Sequence, residues 1–244
     1  MYRGGLTIYT SRRGRRQHEG SGGSGGQRAG EGSGSRTLGG MATAAALCDL
    51  GPREFLGEID VLLGIYADAM DADAALLPGR RELMRRHAGY PQFKALQACA
   101  AGGGHDDGAV LGFSYGFHGA PGQWWYDAVS AALVRTIGPA ATAGWLADCL
   151  EVAEVHVRKD QQRHGIGTRM LTALARGRAE RTALLSTPDR ESTARRLYRR
   201  MGFCDLLTGY SFPGGSPPYA VMGAVLPLRD PVAVSLPWSA SPRV

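Results

Sequence analysis

The chain has 244 residues, 43% of them hydrophobic, enough to bury one substantial core or two small ones. Its formal net charge of +6 is concentrated in residues 1–40, where seven Arg and two Glu carry +5 and leave the remainder near neutral at +1. That distribution argues against a basic nucleic-acid-binding face on the globular part, and Arg135 interrupts the longest alanine-rich stretch before it reaches the ~18 apolar residues of a membrane span.

In chain order, residues 1–40 are a Gly/Ser/Arg mixture with almost no apolar side chains to offset ordering entropy, and are expected to be a disordered tail. Residues 41–230 are expected to form one domain and 231–244 a C-terminal tail. "PREFLGEIDVLLGIYADAM" has Phe55, Leu56, Ile59, Leu62, Leu63 and Tyr66 at helical spacing behind Pro52. "GRRELMRRHAGY" predicts a second, more basic helix. "FKALQACA" and "AVLGFSYGFHG" then read as strands, forming a hairpin through a Gly102–Gly108 turn.

Residues 118–149 form an insertion far longer than the ~2–5 residues a hairpin needs. It contains Trp124, Trp125, Tyr126 and Trp145, residues that disordered segments lack. The expectation is a partly helical cap through Asp127–Arg135 over the acceptor side of a cleft, with Trp124, Trp125 and Tyr126 walling the substrate and Asp127 or Asp148 attracting its cation. A satellite core filled by the same tryptophans is the equal alternative.

After residue 150, strands and helices alternate: "LEVAEVHV", "GTRMLTALARGRA", "RTALLSTP", "ESTARRLYRRMGF", then "CDLLTGYSF" and "YAVMGAVLPL". This order predicts an α/β sheet with some parallel pairing. Strict alternation along the first strand would put Glu151, Ala153, Val155 and Val157 on one face and Val152, Glu154 and His156 on the other. Cys48, Cys99, Cys149 and Cys204 have no metal-ligand spacing and no disulfide-scaffold density, so no metal and a reducing cytoplasm are expected.

The junction between that strand and the next helix reads Gln162-Arg163-His164-Gly165-Ile166-Gly167. A turn between a strand and a helix presents unpaired N–H groups and the positive end of the helix dipole, a ready site for an anion. The dinucleotide fingerprint needs a third glycine where Met170 stands, and the P-loop needs Gly-Lys-Ser/Thr, so both are excluded by residue type. The pattern instead resembles the Gln/Arg-x-x-Gly-x-Gly/Ala signature of the GNAT superfamily, the acetyl-CoA-dependent N-acetyltransferases. "ARRLYRRMGF", Ala194 to Phe203, is similar to the family's later Ala-x-x-Leu-Tyr-x-x-x-Gly-Phe helix.

The resemblance implies a mixed sheet, splayed between its fourth and fifth strands and flanked by helices, with acetyl-CoA as co-substrate in the gap. It implies that the amides of Arg163, His164, Gly165, Ile166, Gly167 and Thr168, beside Gln162, hold the pyrophosphate, and that the Val155, His156 and Val157 edge pairs with pantetheine. Tyr198 matches the family's general acid toward the CoA sulfur, and would also pack under the sheet. Glu151 stands where several relatives place a catalytic base, with Glu154 as second choice and pairing of either to an arginine as the rival role. Two positions depart from the pattern: Glu191 replaces a common Asn, and His164 replaces a common Gly. The implied activity is acetyl transfer to a primary amine of a small molecule or peptide, with no nucleic-acid or membrane partner. An acyl-CoA-binding module without catalysis is the alternative.

Overall fold

The computed structural model describes residues 45–100 and 109–230. The expected disordered segment 1–40, the Gly102–Gly108 turn and the tail 231–244 lie outside these residues. The chain order is β1 (Ala46–Leu50), α1 (Pro52–Gly57), α2 (Ile59–Met70), α3 (Leu77–His87), β2 (Lys94–Cys99), β3 (Val110–Gly119), α4 (Trp124–Ile137), α5 (Pro139–Leu146), β4 (Cys149–Val157), α6 (Ile166–Ala175), β5 (Thr182–Pro188), α7 (Thr193–Arg200), β6 (Cys204–Tyr210) and β7 (Tyr219–Val225). The strands form one sheet in the order β1-β2-β3-β4-β5-β7-β6.

The expected first helix is broken at Glu58, which leaves helical geometry with φ −87° and ψ 0°. β1 is an addition to the expected elements: a five-residue edge strand antiparallel to β2, with Ala46 opposite Cys99. β2 and β3 pair antiparallel, and Phe113, Tyr115 and Phe117 on one face of β3 pack into a core with α1, α2 and α3. The opposite face carries Gly112 and Gly116, where β3 presses against β4. A Cβ at Gly116 would lie 2.5 Å from the Glu151 carbonyl oxygen, so only glycine permits this approach.

β4 is irregular. Tyr115 pairs with Glu154 but Gly116 pairs with Val152, which leaves Ala153 as a β-bulge. The extra residue reverses the side-chain parity beyond it, correcting the strict alternation expected for this strand. Leu150, Val152, Val155 and Val157 share the face covered by α6 and α7, while Glu151, Glu154 and His156 share the face toward α2 and α3. The two glutamates therefore point to the same side.

β4 and β5 pair in parallel only at Cys149–Thr182, Leu150–Ala183 and Glu151–Leu184. Past Glu151 the strands part, and β4 runs on to Val157 hydrogen-bonded only on its β3 side. One core lies between the sheet and α6 and α7; a second joins α4 and α5 to β5, β6 and β7 on the opposite face. No helix among the described residues is long and apolar enough to cross a membrane.

Candidate active site

The parting of β4 and β5 opens a cleft of about 260 Å³. Glu151 stands at the last paired position and reaches it from the α3 and α4 face, while Tyr198 reaches it from α7 on the other face. Glu151 is only 4% exposed, and its Oε2 has no hydrogen-bond partner among the described residues. Burial pushes its pKa up to about 8. An unpaired, desolvated carboxyl of this kind changes charge close to neutrality, as a proton acceptor requires.

Glu154 has the opposite environment. Its Oε1 accepts from Arg80 Nη1 at 2.6 Å, and its Oε2 touches His156 Nε2. Burial alone would raise its pKa, but Arg80 and His156 outweigh that effect and hold it at about 2. Arg80 also donates to the Tyr66 hydroxyl at 3.0 Å, so Glu154 is charged at neutral pH within a buried network. This corrects its standing as the second choice for a base: its lone pairs are engaged and its basicity is low. The arginine pairing expected as a rival role applies to Glu154 and not to Glu151.

Tyr198 lies within α7, whose N-cap Ser192 accepts from the Arg195 amide at 3.1 Å. The phenol is 9% exposed and lines the cleft, and its ring also packs with Phe203, so the packing and cleft positions coexist. Burial, aided by the Glu154 charge, pushes its pKa to about 12, keeping the hydroxyl proton in place at neutral pH.

Residues Gln162–Gly165 are exposed, Gly167 and Thr168 are half-buried, and the Ile166 side chain is buried beneath the sheet. Gln162 Nε2 donates to the Val157 carbonyl at 3.1 Å, tying the turn to the strand end. Arg163 at φ 70° and Gly165 at φ 78° both adopt left-handed backbone. The amides of residues 163–168 donate to no other backbone group among the described residues, so they are available to an outside anion at the N-terminus of α6. Val155 and His156 line the cleft, but the His156 side chain faces Glu154, which leaves only its backbone on the free strand edge. Glu191, the replacement for Asn, pairs with Arg199 at 2.6 Å.

The insertion folds as α4 and α5. Trp124 and Trp125 line the cleft, and Trp125 Nε1 donates to Ser186 Oγ at 3.1 Å. Tyr126 is a correction: it lies outside the cleft lining, against Gly119, because it sits on the next face of α4. Trp145 covers Gly223, where a Cβ would come 2.9 Å from its ring. Asp127 accepts from the Gly122 amide at 3.1 Å, and neither it nor Asp148 lines the cleft, so the expected cation attraction by these acids is corrected too. Arg80, Ser186 and Tyr219 line the cleft without having been singled out. Arg80 was detectable in principle, because it shares helical spacing with Met84 and His87.

Residues 123–205 match the family model described as the acetyltransferase (GNAT) domain. Over 206 residues the chain is 33% identical to a GCN5-like protein acetyltransferase of Mycobacterium tuberculosis, a match covering 76% of this chain and 100% of that relative. The chain belongs to the GNAT acetyltransferase family. Among solved structures, a GNAT-family protein from Desulfovibrio desulfuricans superposes with a TM-score of 0.51 at 13% identity, covering 75% of this chain and 99% of that one. The NatC complex bound to Gag peptide and CoA gives a TM-score of 0.50 at 13% identity, over 75% and 99% of the two chains. Both likenesses concern the fold. In this GNAT protein the unpaired amides 163–168 and the free β4 edge fit acetyl-CoA, since they offer donors to phosphate and to amide carbonyls without a matched cation.

Proposed function

We propose that the protein transfers an acetyl group from acetyl-CoA to a primary amine by direct attack. The reading is supported above all by Glu151, a buried carboxyl without a partner at the point where β4 and β5 part. Bound acetyl-CoA supplies an activated acetyl carbon as its thioester. Glu151 takes the proton that the acceptor nitrogen gives up as the C–N bond forms, directly or through one water. The Tyr198 hydroxyl delivers a proton to the sulfur as the C–S bond breaks.

The 163–168 amides hold the pyrophosphate, and Gly165 supplies the left-handed turn that presents them. The Val155–Val157 edge receives the pantetheine arm as an added strand would be received. Trp124 and Trp125 wall the acceptor. Similarity to the M. tuberculosis relative, named as a protein acetyltransferase, favours a peptide or protein amine among the acceptors. Release of free thiol from acetyl-CoA, measured with and without an amine panel and paired with mass detection of the acetylated amine, tests this reading.

A further inference from the structure

The acceptor half of the cleft has a distinct charge pattern. Among the described residues two carboxyl groups line it, Glu151 and Glu154. Glu154 is neutralised by Arg80, and burial keeps Glu151 mostly protonated at neutral pH. Arg190 lines the same cleft and has no carboxylate partner among the described residues, so this wall carries an uncompensated cation. A polycationic amine would enter with no free carboxylate to receive its second charge.

Three hydrogen-bond donors stand along the β5 side of this wall. Ser186 Oγ accepts from Trp125 Nε1, which leaves its own proton to donate. Tyr219, opposite Pro188 in the β5–β7 ladder, is 1% exposed, and its hydroxyl has no partner among the described residues. A buried hydroxyl without a partner costs stability unless something fills the role. Arg190, two residues beyond Pro188, makes no ion pair or side-chain hydrogen bond among the described residues. Its neighbours Asp189 and Glu191 are taken by Arg195 and Arg199. Arg190 and Tyr219 line the same cleft, and the backbones beside them are tied together by the Pro188–Tyr219 pairing and the hydrogen bond from the Asp189 amide to the Pro218 carbonyl.

We propose that this wall is an acceptor subsite for a carboxylate: the preferred substrate is a primary amine whose molecule also carries a carboxylate, received by Arg190 and the hydroxyls of Tyr219 and Ser186 while the nitrogen faces Glu151. The inference rests on the N-acetyltransferase reading and narrows it to a substrate class. A polyamine or a polycationic drug is disfavoured by the same wall.

The test is steady-state kinetics of the full chain with acetyl-CoA and matched acceptors in two arms. One arm sets γ-aminobutyrate against its carboxamide; the other sets C-terminally amidated tripeptides with Glu, Gln or Lys in the last position against one another, with spermidine as the polycation. In at least one arm kcat/KM should favour the carboxylate over the neutral form on the order of tenfold, as a charge-assisted hydrogen bond gives. The arm in which the preference occurs identifies the source. Arg190→Gln and Tyr219→Phe should each bring the ratio toward one, with the acetyl-CoA-induced rise in Tm retained. Equal or reversed preference overturns the subsite, as does a preference that survives Arg190→Gln. Loss of acetyl-CoA binding in that variant also overturns it, by moving Arg190 to the cofactor side. If the wild type acetylates no amine at all, the N-acetyltransferase reading itself fails, and the subsite with it.

Discussion

Glu151→Gln is expected to make the protein more stable and far less active, and both effects derive from one unpaired carboxyl. Burial raises its pKa from 4.5 to about 8. The folded value lies above the unfolded one, so the group's contribution to stability is fully present below about pH 4.5 and is lost progressively as pH rises to 8. Each pKa unit is worth about 1.36 kcal/mol, so the accumulated penalty at pH 9 is on the order of 3–5 kcal/mol. Gln keeps the shape without the charge. Thermal unfolding of the two proteins should therefore nearly coincide at pH 5, whereas at pH 9 the variant should melt higher by roughly 5–15 °C for a domain of this size. In the wild type, the ionised fraction rises from roughly a tenth at pH 7 to nine-tenths at pH 9 for a group with this pKa. With an acceptor amine whose own pKa lies well below neutrality, kcat should rise about tenfold over that interval. The variant should lose this limb together with ~10²–10⁴ of the rate. A variant that keeps the alkaline limb and shows no pH-dependent gap in Tm would refute the assignment of Glu151 as base.

Tyr198→Phe should lower kcat by ~10²–10⁴ while leaving the acetyl-CoA KM within about twofold, since the proton is needed as the sulfur departs; unchanged turnover would reduce Tyr198 to packing against Phe203. Arg80→Met should destabilise by about 3–5 kcal/mol in urea unfolding at pH 7, because Glu154 would be left charged and buried without its cation. The folded pKa of Glu154 is depressed to about 2, so the stability from this pair is present above the unfolded value near 4.5 and fades as pH falls toward 2; the Arg80→Met penalty should shrink accordingly in acid. Gly165→Val should abolish the acetyl-CoA-induced rise in Tm. A Cβ there meets open space, so its effect would come from the φ of 78° that a β-branched residue resists.

Local patterns were legible in the sequence, and features that depend on docking were not. The Gln162–Gly167 turn and the Ala194–Phe203 helix are read from residues adjacent in the chain, and together they pointed to the family and to the splayed sheet. Where the two glutamates point depends on Ala153 being an extra residue opposite β3, which only the pairing reveals. The separate fates of Glu151 and Glu154 depend on Arg80, 74 positions from Glu154, turning inward from α3. The aromatic content of the insertion marked it as ordered and its first helix was expected through Asp127–Arg135, whereas α5 (Pro139–Leu146) was not. Which aromatics reach the cleft was not legible, because that depends on the rotation of α4 against β5: Trp124 and Trp125 face the opening and Tyr126 turns away.

Amine-dependent release of free CoA thiol tests the central claim most directly. Purified protein, saturating acetyl-CoA and an amine panel that includes carboxylate-bearing peptides should yield thiol and acetylated amine in equal amounts, with both falling together in Glu151→Gln and Tyr198→Phe. A protein that acetyl-CoA stabilises against heat, yet that releases no thiol in response to any amine, would contradict catalysis and leave an acyl-CoA-binding module in its place.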